Sequence, residues 1–431
     1  MKRETRSTLI LTLIVAAAAL LSFANNLGND WAYDDIEYIT HNTFVTESGH
    51  AGDIFSTTYL YGVNRYQTAL YRPLTVLSYA LNRMATGMNP GAFHAVNDLI
   101  HAANSVLVLH LVSLIPGGNA IAFPTALLFA THPIHTEAVD NVVGRAELLA
   151  FLFMALSLLF FFRRERKTAV MYPLSLLFFF AALLCKETPI VLPAIILFDV
   201  LGRRFRGETV KVKKALMETG GFFVVAAFYQ ALRNTVVAYG GDVAAIMKHD
   251  NPLASLGFFD RLPTALAVVW RYIWLTVFPA VLSADYSYNQ IPVAESLLTV
   301  GSLAGAAVVV ALIAGAVISA KRSPTVFTGI LLFAMPFLVV SNILFPIGTI
   351  MGERLMYIPS LGYVMLLASA IAVLVSAARL KPAAVVWITV VLSFLFAGRI
   401  LVRNADWKNN DTIFEKTAVT APQSVKAAYN Y

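Results

Sequence analysis

Two adjacent carboxylates, Asp34 and Asp35, follow the first apolar run in the stretch Asn29-Asp-Trp-Ala-Tyr-Asp-Asp-Ile. A carboxylate here could take a proton from an attacking hydroxyl, hold a metal, or do both. A solvated acidic loop would read the same way. Arg72 stands directly before Pro73, which places it in extended or turn backbone rather than mid-helix. Its guanidinium suits a bidentate grip on phosphate, or plain snorkelling at an interface. Lys186 and Glu187 sit between apolar runs with almost no loop. Charges so close to hydrocarbon need partners, either each other or a phosphate. Glu353 and Arg354 open another apolar run and offer the same choice between ion pair and anion clamp. Asp285 and Tyr286 follow the run 262–284, where interfacial tyrosines are common.

His132, His135 and Glu137 lie in Thr131-His-Pro-Ile-His-Thr-Glu, with spacing near that of zinc ligands. Pro133 breaks the helical face, and no further His or Cys set completes a site. A polar loop that shapes a pocket is the better reading, and Arg145 and Glu147 extend it. His94 and Asn97, at the edge of the next apolar run, are further pocket candidates. His101 and His110 lie deeper, where a hydrogen-bonded core histidine is the ordinary explanation.

The elements that must position these residues are membrane helices. Of 431 residues, 58% are hydrophobic and 13% charged. A soluble domain carries about 25% charged residues, so the chain reads as an all-α polytopic membrane protein. Its net charge of +7 comes from short basic clusters between apolar runs rather than from a nucleic-acid-binding face. A single cysteine, Cys185, excludes an intramolecular disulfide. Candidate spans cover residues 8–24, 95–115, 120–131, 147–162, 169–184, 190–201, 215–238, 296–320, 326–345, 355–377 and 383–402, about eleven in all. The clusters Arg163, Arg164, Arg166, Lys167 and Arg203, Arg204, Arg206, Lys211, Lys213, Lys214 mark the cytoplasmic side. So do Lys321, Arg322, Arg379 and Lys381. The alternation closes only if the run 262–284 is re-entrant or interfacial. The large first loop (about 25–93), 132–147, 185–188 and 345–354 then share the extracytoplasmic face. Residues 1–403 form the transmembrane domain. The segment 404–431 starts as helices and stops abruptly, as a longer domain would if cut.

The ordered set Asp34-Asp35, Tyr71-Arg-Pro-Leu-Thr-Val-Leu, Phe93-His-Ala-Val-Asn, His132-Pro-Ile-His-Thr-Glu-Ala-Val, Val143-Gly-Arg-Ala-Glu, Cys185-Lys-Glu-Thr, Asp285-Tyr-Ser-Tyr and Gly352-Glu-Arg-Leu-Met-Tyr-Ile-Pro-Ser resembles the transmembrane, TPR-containing O-mannosyltransferases. These are members of the GT-C glycosyltransferase superfamily. The resemblance runs from about residue 25 to the C-terminus and makes 404–431 the start of a TPR region. It implies inverting transfer of a sugar, mannose in the eukaryotic relatives, from a polyprenyl-phosphate donor to a protein hydroxyl. Transfer would occur on the periplasmic or luminal face, with Asp34 or Asp35 as the base. Arg72, Lys186 and Arg354 would contact the donor phosphate. His94, Asn97, His132, His135, Glu137, Arg145, Glu147, Glu187, Asp285, Tyr286 and Glu353 would line the pocket. Some superfamily branches need a divalent metal and others do not; Asp34 and Asp35 are where one would sit. The implied partners are the lipid-linked donor, a protein acceptor and membrane lipid. The alanine- and valine-rich spans suit a bacterial inner membrane, with the endoplasmic reticulum as the alternative. The rival readings are a transporter or lipid flippase, which should show inverted repeats, and a non-catalytic anchor for a TPR scaffold.

Overall fold

A computed structural model describes residues 2–164, 168–208, 212–239 and 246–431. Arg166, Lys167 and Lys211 lie outside the described residues, as does the side chain of Lys214. Among the described residues the chain is all-α, without strands. It is a polytopic integral membrane protein.

The principal helices follow the apolar runs. They begin with α1 (Lys2–Phe23), α2 (Pro73–Thr86), α3 (Pro90–Ser113), α4 (Ala122–Ala130), α5 (Arg145–Phe162) and α6 (Thr168–Cys185). Next come α7 (Leu192–Phe205), α8 (Val212–Tyr239), α9 (Phe258–Val277), α10 (Val300–Arg322) and α11 (Pro324–Val340). The chain closes with α12 (Tyr357–Ala377), α13 (Ala383–Asn404), α14 (Asn410–Thr420) and α15 (Val425–Asn430). Their starts are written locally. Asn89, Thr299 and Ser323 each accept a backbone N–H of the following turn, and Pro90 and Pro324 occupy first-turn positions where no N–H is missed.

Among the described residues seven helices are long and apolar enough to cross a membrane, and Ala169–Cys185 and Pro324–Val340 are shorter apolar helices. The two remaining expected spans are shorter still. The run 120–131 forms a helix of 9 residues and 190–201 one of 14. At about 1.5 Å per residue, each falls short of a hydrocarbon core about 30 Å thick. Of the run 262–284, expected to be re-entrant or interfacial, the part up to Val277 belongs to one helix, α9, of 20 residues, and 278–284 are turn and loop. The helix buries Arg261, Ala265, Val268, Tyr272 and Thr276 along one side, at helical spacing, and leaves Arg271 exposed.

The basic helix ends gather at one end of the bundle. Arg206 at the end of α7 donates to Ala320 O near the end of α10, and Arg164 after α5 pairs with Glu218 of α8. The opposite end carries the first loop, which has its own core. Ile39, Phe44, Tyr59 and Val63 pack there with Tyr79 of α2, Phe93 of α3 and Val142 and Val143.

Helices α11 and α12 pack closely. A side chain at Gly362 would run into the backbone of Phe333 and Gly329, whereas one at Gly398 meets nothing within 4 Å. Small residues permit such approaches between membrane helices. Gly362→Val is therefore expected to destabilise the solubilised protein by about 1–3 kcal/mol through overpacking, with Gly398→Val near wild type. Thermal unfolding of both variants in detergent checks this.

Candidate active site

At the loop-bearing end a cavity of about 530 Å³ is lined by Asp34, Arg72, Glu147, Lys186, Glu187 and Arg354. Apolar groups, including Val339, Val340 and Phe345, complete one wall. Local chain geometry aims each charged residue. Arg72 is the residue before α2, with φ −136° and ψ 55°, and Pro73 opens the helix. This is the non-helical placement its sequence predicts. Thr75 Oγ1 donates to Cys185 O at 2.9 Å, which ties α2 to the turn that carries Lys186 and Glu187.

The cations are held in pairs. Arg72 grips Glu187 bidentately, Nε and Nη2 donating at 3.1 and 2.7 Å. Lys186 pairs with Glu147, both buried. Arg354 pairs with Glu137, whose other oxygen accepts the Arg354 backbone N–H at 2.8 Å. Burial raises the Glu187 carboxyl, but the charge and hydrogen bonds of Arg72 together with the Lys186 ammonium outweigh it and hold the group down at about 2. Burial pulls the Lys186 ammonium below its ordinary value, against the pull of Glu147. In low dielectric, unpaired charges of this kind would be costly.

The two aspartates have different surroundings. Asp34 faces the cavity with its side chain 30% exposed, and its Oδ2 lies 3.9 Å from Arg354 Nη2. Burial raises its carboxyl above the ordinary value, with Arg354 acting the other way. Tyr33, just before it, has a left-handed φ of 57°. That conformation is unusual for a bulky residue and recurs where a site stores strain. The Tyr33 N–H donates to Asn410 Oδ1 at 2.7 Å, so the C-terminal segment holds this turn. Asp35 is fully buried and points away from the cavity. Its oxygens accept the N–H groups of Val143 at 2.9 Å and Ala32 at 3.3 Å.

The remaining sequence candidates lie outside this cavity's lining, apart from Glu147 and Glu187. Arg145 is buried; it donates to Asn97 Oδ1, Asn82 Oδ1 and Phe93 O at 2.8–2.9 Å. It therefore joins α2, α3 and α5, and Asn97 serves it. His94 Nε2 lies 3.4 Å from Asp30 O. The proposed His132, His135 and Glu137 grouping does not converge. His132 Nδ1 accepts from the Ile134 N–H, His135 meets Ser360, and Glu137 is taken by Arg354. Among the described residues no group of three His, Cys, Asp or Glu could hold a metal. Glu353 accepts from Tyr286 Oη at 2.5 Å and Ser283 N at 2.7 Å, which fixes the loop after α9. Asp285 accepts from Ser287 and Ser424.

Sequence reasoning missed Tyr38, Tyr229 and Arg233, which also line the cavity. Arg233 donates to Ala69 O at 3.1 and 2.7 Å. An arginine inside the apolar run 215–238 was its available signal.

Burial pushes the Asp35 carboxyl from 3.8 up to about 7, against the bonds from Val143 and Ala32. Between those values the folded protein holds a proton that the unfolded chain has lost, so this group's contribution to stability falls as pH rises through the window. Asp35→Asn is expected to remove that fall. Melting temperatures of both proteins across this range test it, and parallel curves would refute it.

No protein-family model matches the chain. It is 30% identical over 437 residues to mouse protein O-mannosyl-transferase TMTC3, covering 94% of this chain and 46% of the relative. Human protein O-mannosyl-transferase TMTC4 is 30% identical over 473 residues, with coverages of 97% and 63%. Human TMTC1 is 28% identical over 462 residues, with coverages of 97% and 52%. Among solved structures, an Archaeoglobus fulgidus oligosaccharyltransferase tethered to an acceptor peptide aligns with 97% of this chain and 55% of its own, at TM-score 0.45 and 13% identity. A likeness that slight carries no argument. Over nearly its whole length the chain is homologous to the TMTC protein O-mannosyl-transferases, spanning about half the length of these relatives.

Proposed function

We propose that the chain is a membrane glycosyltransferase of the GT-C type. It transfers a sugar, mannose by the kinship with its relatives, from a polyprenyl-phosphate donor to a Ser or Thr hydroxyl of a protein. The observation that carries this reading is the position of Asp34. Its carboxylate sits beside Arg354 in a cavity that also holds Arg72 and Lys186 and has an apolar wall.

The chemistry follows from the charges. Asp34 takes the proton of the acceptor hydroxyl. The freed oxygen attacks the anomeric carbon from the face opposite the phosphate, and the bond from that carbon to the phosphate oxygen breaks. Inversion results, and polyprenyl phosphate leaves as an anion. Arg72 and Lys186 stabilise the charge that builds on the leaving phosphate. Val339, Val340 and Phe345 suit the first isoprene units of the carrier. Arg354 opposes part of the rise that burial imposes on the Asp34 carboxyl. The site then faces the extracytoplasmic side, periplasmic in a bacterial inner membrane or luminal in the endoplasmic reticulum. The segment 404–431 leads into a TPR region.

Positioned general bases contribute about 10²–10⁴ in rate. Asp34→Asn should therefore lower transfer from polyprenyl-phosphate mannose to a Ser/Thr peptide by about that factor, with the protein still folded. Undiminished transfer in the variant would remove Asp34 from this role. Burial raises the Asp34 carboxyl, and Arg354 offsets part of that rise. Its replacement lets that carboxyl rise, so the base is protonated to a higher pH. The acid limb of the kcat/KM profile of Arg354→Gln should move to higher pH than in wild type.

A further inference from the structure

Three buried side chains meet outside the lining of the cavity. Asn26 lies in the turn Ala24–Gly28 that continues α1. Its single Nδ2 donates to two carboxylates, Asp98 Oδ1 of α3 at 3.0 Å and Asp140 Oδ1 at 2.9 Å. Asp140 is the last residue of the short helix Thr136–Asp140. All three side chains belong to residues at most 4% exposed. Asp406 adds further negative charge beside Asp140. Arg403, the cation that acts on Asp140, is itself bonded to Asp406 through Nη1 at 3.0 Å. Three carboxylates thus face one guanidinium.

The cluster also has oxygens with nothing to accept. Asp140 Oδ2 and Asn26 Oδ1 are buried and have no hydrogen-bond partner among the described residues. Both belong to the groups that meet at the Asn26 amide. Turning that amide over would set its oxygen against both carboxylates, so either orientation leaves oxygens in want of a positive partner. Two buried carboxylates this close cannot both stay ionised without compensation. The C-terminal end of α1 adds to the demand, because the free carbonyls of a helix end favour a cation.

We infer that Asp98, Asp140 and Asn26 form a binding site for a monovalent cation, with Na⁺ as the ion of matching chemistry. All the donors are hard oxygens, which suit a hard ion and not a soft one. Ca²⁺ takes six to eight oxygens and Mg²⁺ gives up its waters reluctantly. Two carboxylates and one amide, closed off from solvent, serve neither well. A singly charged ion relieves the repulsion at a smaller cost in lost hydration. The ion's role is structural. It joins the end of α1 and α3 to the segment that leads into α5. On one side of Asp140 in that segment, Val139 O accepts from Asn97 Nδ2 at 3.1 Å. On the other, the Val143 N–H braces Asp35 at 2.9 Å. The cation therefore fixes the segment on which the first loop rests.

The test uses the full 431-residue chain, purified in choline chloride without Na⁺. Wild type should bind radiolabelled Na⁺ saturably, with displacement by unlabelled Na⁺ and none by choline. Replacing choline chloride with NaCl at constant ionic strength should raise its melting temperature by roughly 2–4 °C. Asp98→Asn and Asp140→Asn each keep the side-chain shape and remove one buried charge. Both should lose Na⁺ binding and the thermal rise, and melt no lower than wild type without Na⁺. Asp34→Asn should bind Na⁺ as wild type does. Absence of saturable binding by wild type would overturn the site, as would unchanged binding by the Asp98 and Asp140 variants. A melting temperature indifferent to Na⁺ would mean a shared proton in place of the ion. Loss of binding in Asp34→Asn would put the ion in the cavity instead. A thermal rise with CaCl₂ and none with NaCl would overturn the choice of a monovalent ion.

Discussion

A cation beside hydrocarbon must be neutralised, and that constraint organises the whole loop-bearing end of the bundle. Arg72, Lys186 and Arg354 each meet a carboxylate from a distant part of the chain: Glu187, Glu147 and Glu137 in turn. For Lys186–Glu147 and Arg354–Glu137 the pairing stitches separate helices together. Breaking a buried pair leaves a charge that costs about 3–5 kcal/mol, so the pairs hold the site in shape before any substrate arrives. In the proposed reaction they also set its selectivity. Glu187 occupies the fork of Arg72 in the geometry a phosphate would take, and its side chain is 37% exposed. An incoming phosphate replaces one anion with another at little electrostatic cost. A neutral ligand could not repay the loss of Glu187.

Around these pairs, backbone geometry separates two chemically equal aspartates. Val143 and Ala32 donate to Asp35 and make it a brace between the first loop and the start of α5. The left-handed turn at Tyr33, held by Asn410, leaves Asp34 facing open space. One aspartate maintains the loop, and the other is the base of the proposed reaction. The C-terminal segment takes part in this division, because Asn410 lies beyond the last long apolar helix.

Much of this was legible in the sequence and some was not, for physical reasons. Hydrophobic content and periodicity sufficed for an all-α membrane protein, and Pro73 sufficed to place Arg72 outside helical backbone. Hydropathy alone could not tell a helix of 9 or 14 residues from a full crossing, so residues 120–131 and 190–201 read as spans. The roles of Asp34 and Asp35 could not be divided, because the deciding donor, Val143, is 108 positions from Asp35. Arg145 and Asn97 looked like pocket residues because a buried arginine and a substrate-facing one have the same letter. Arg233 was passed over because a long apolar run hides a single charge.

The most direct test is a cryo-EM structure of the protein with a non-hydrolysable polyprenyl-phosphonate mannose. The account predicts phosphonate density between Arg72 and Lys186, with Glu187 displaced. The anomeric carbon should face Asp34, and the isoprene chain should run along Val339 and Phe345. Density for the head group elsewhere in the bundle, with the Arg72–Glu187 pair intact, would contradict it.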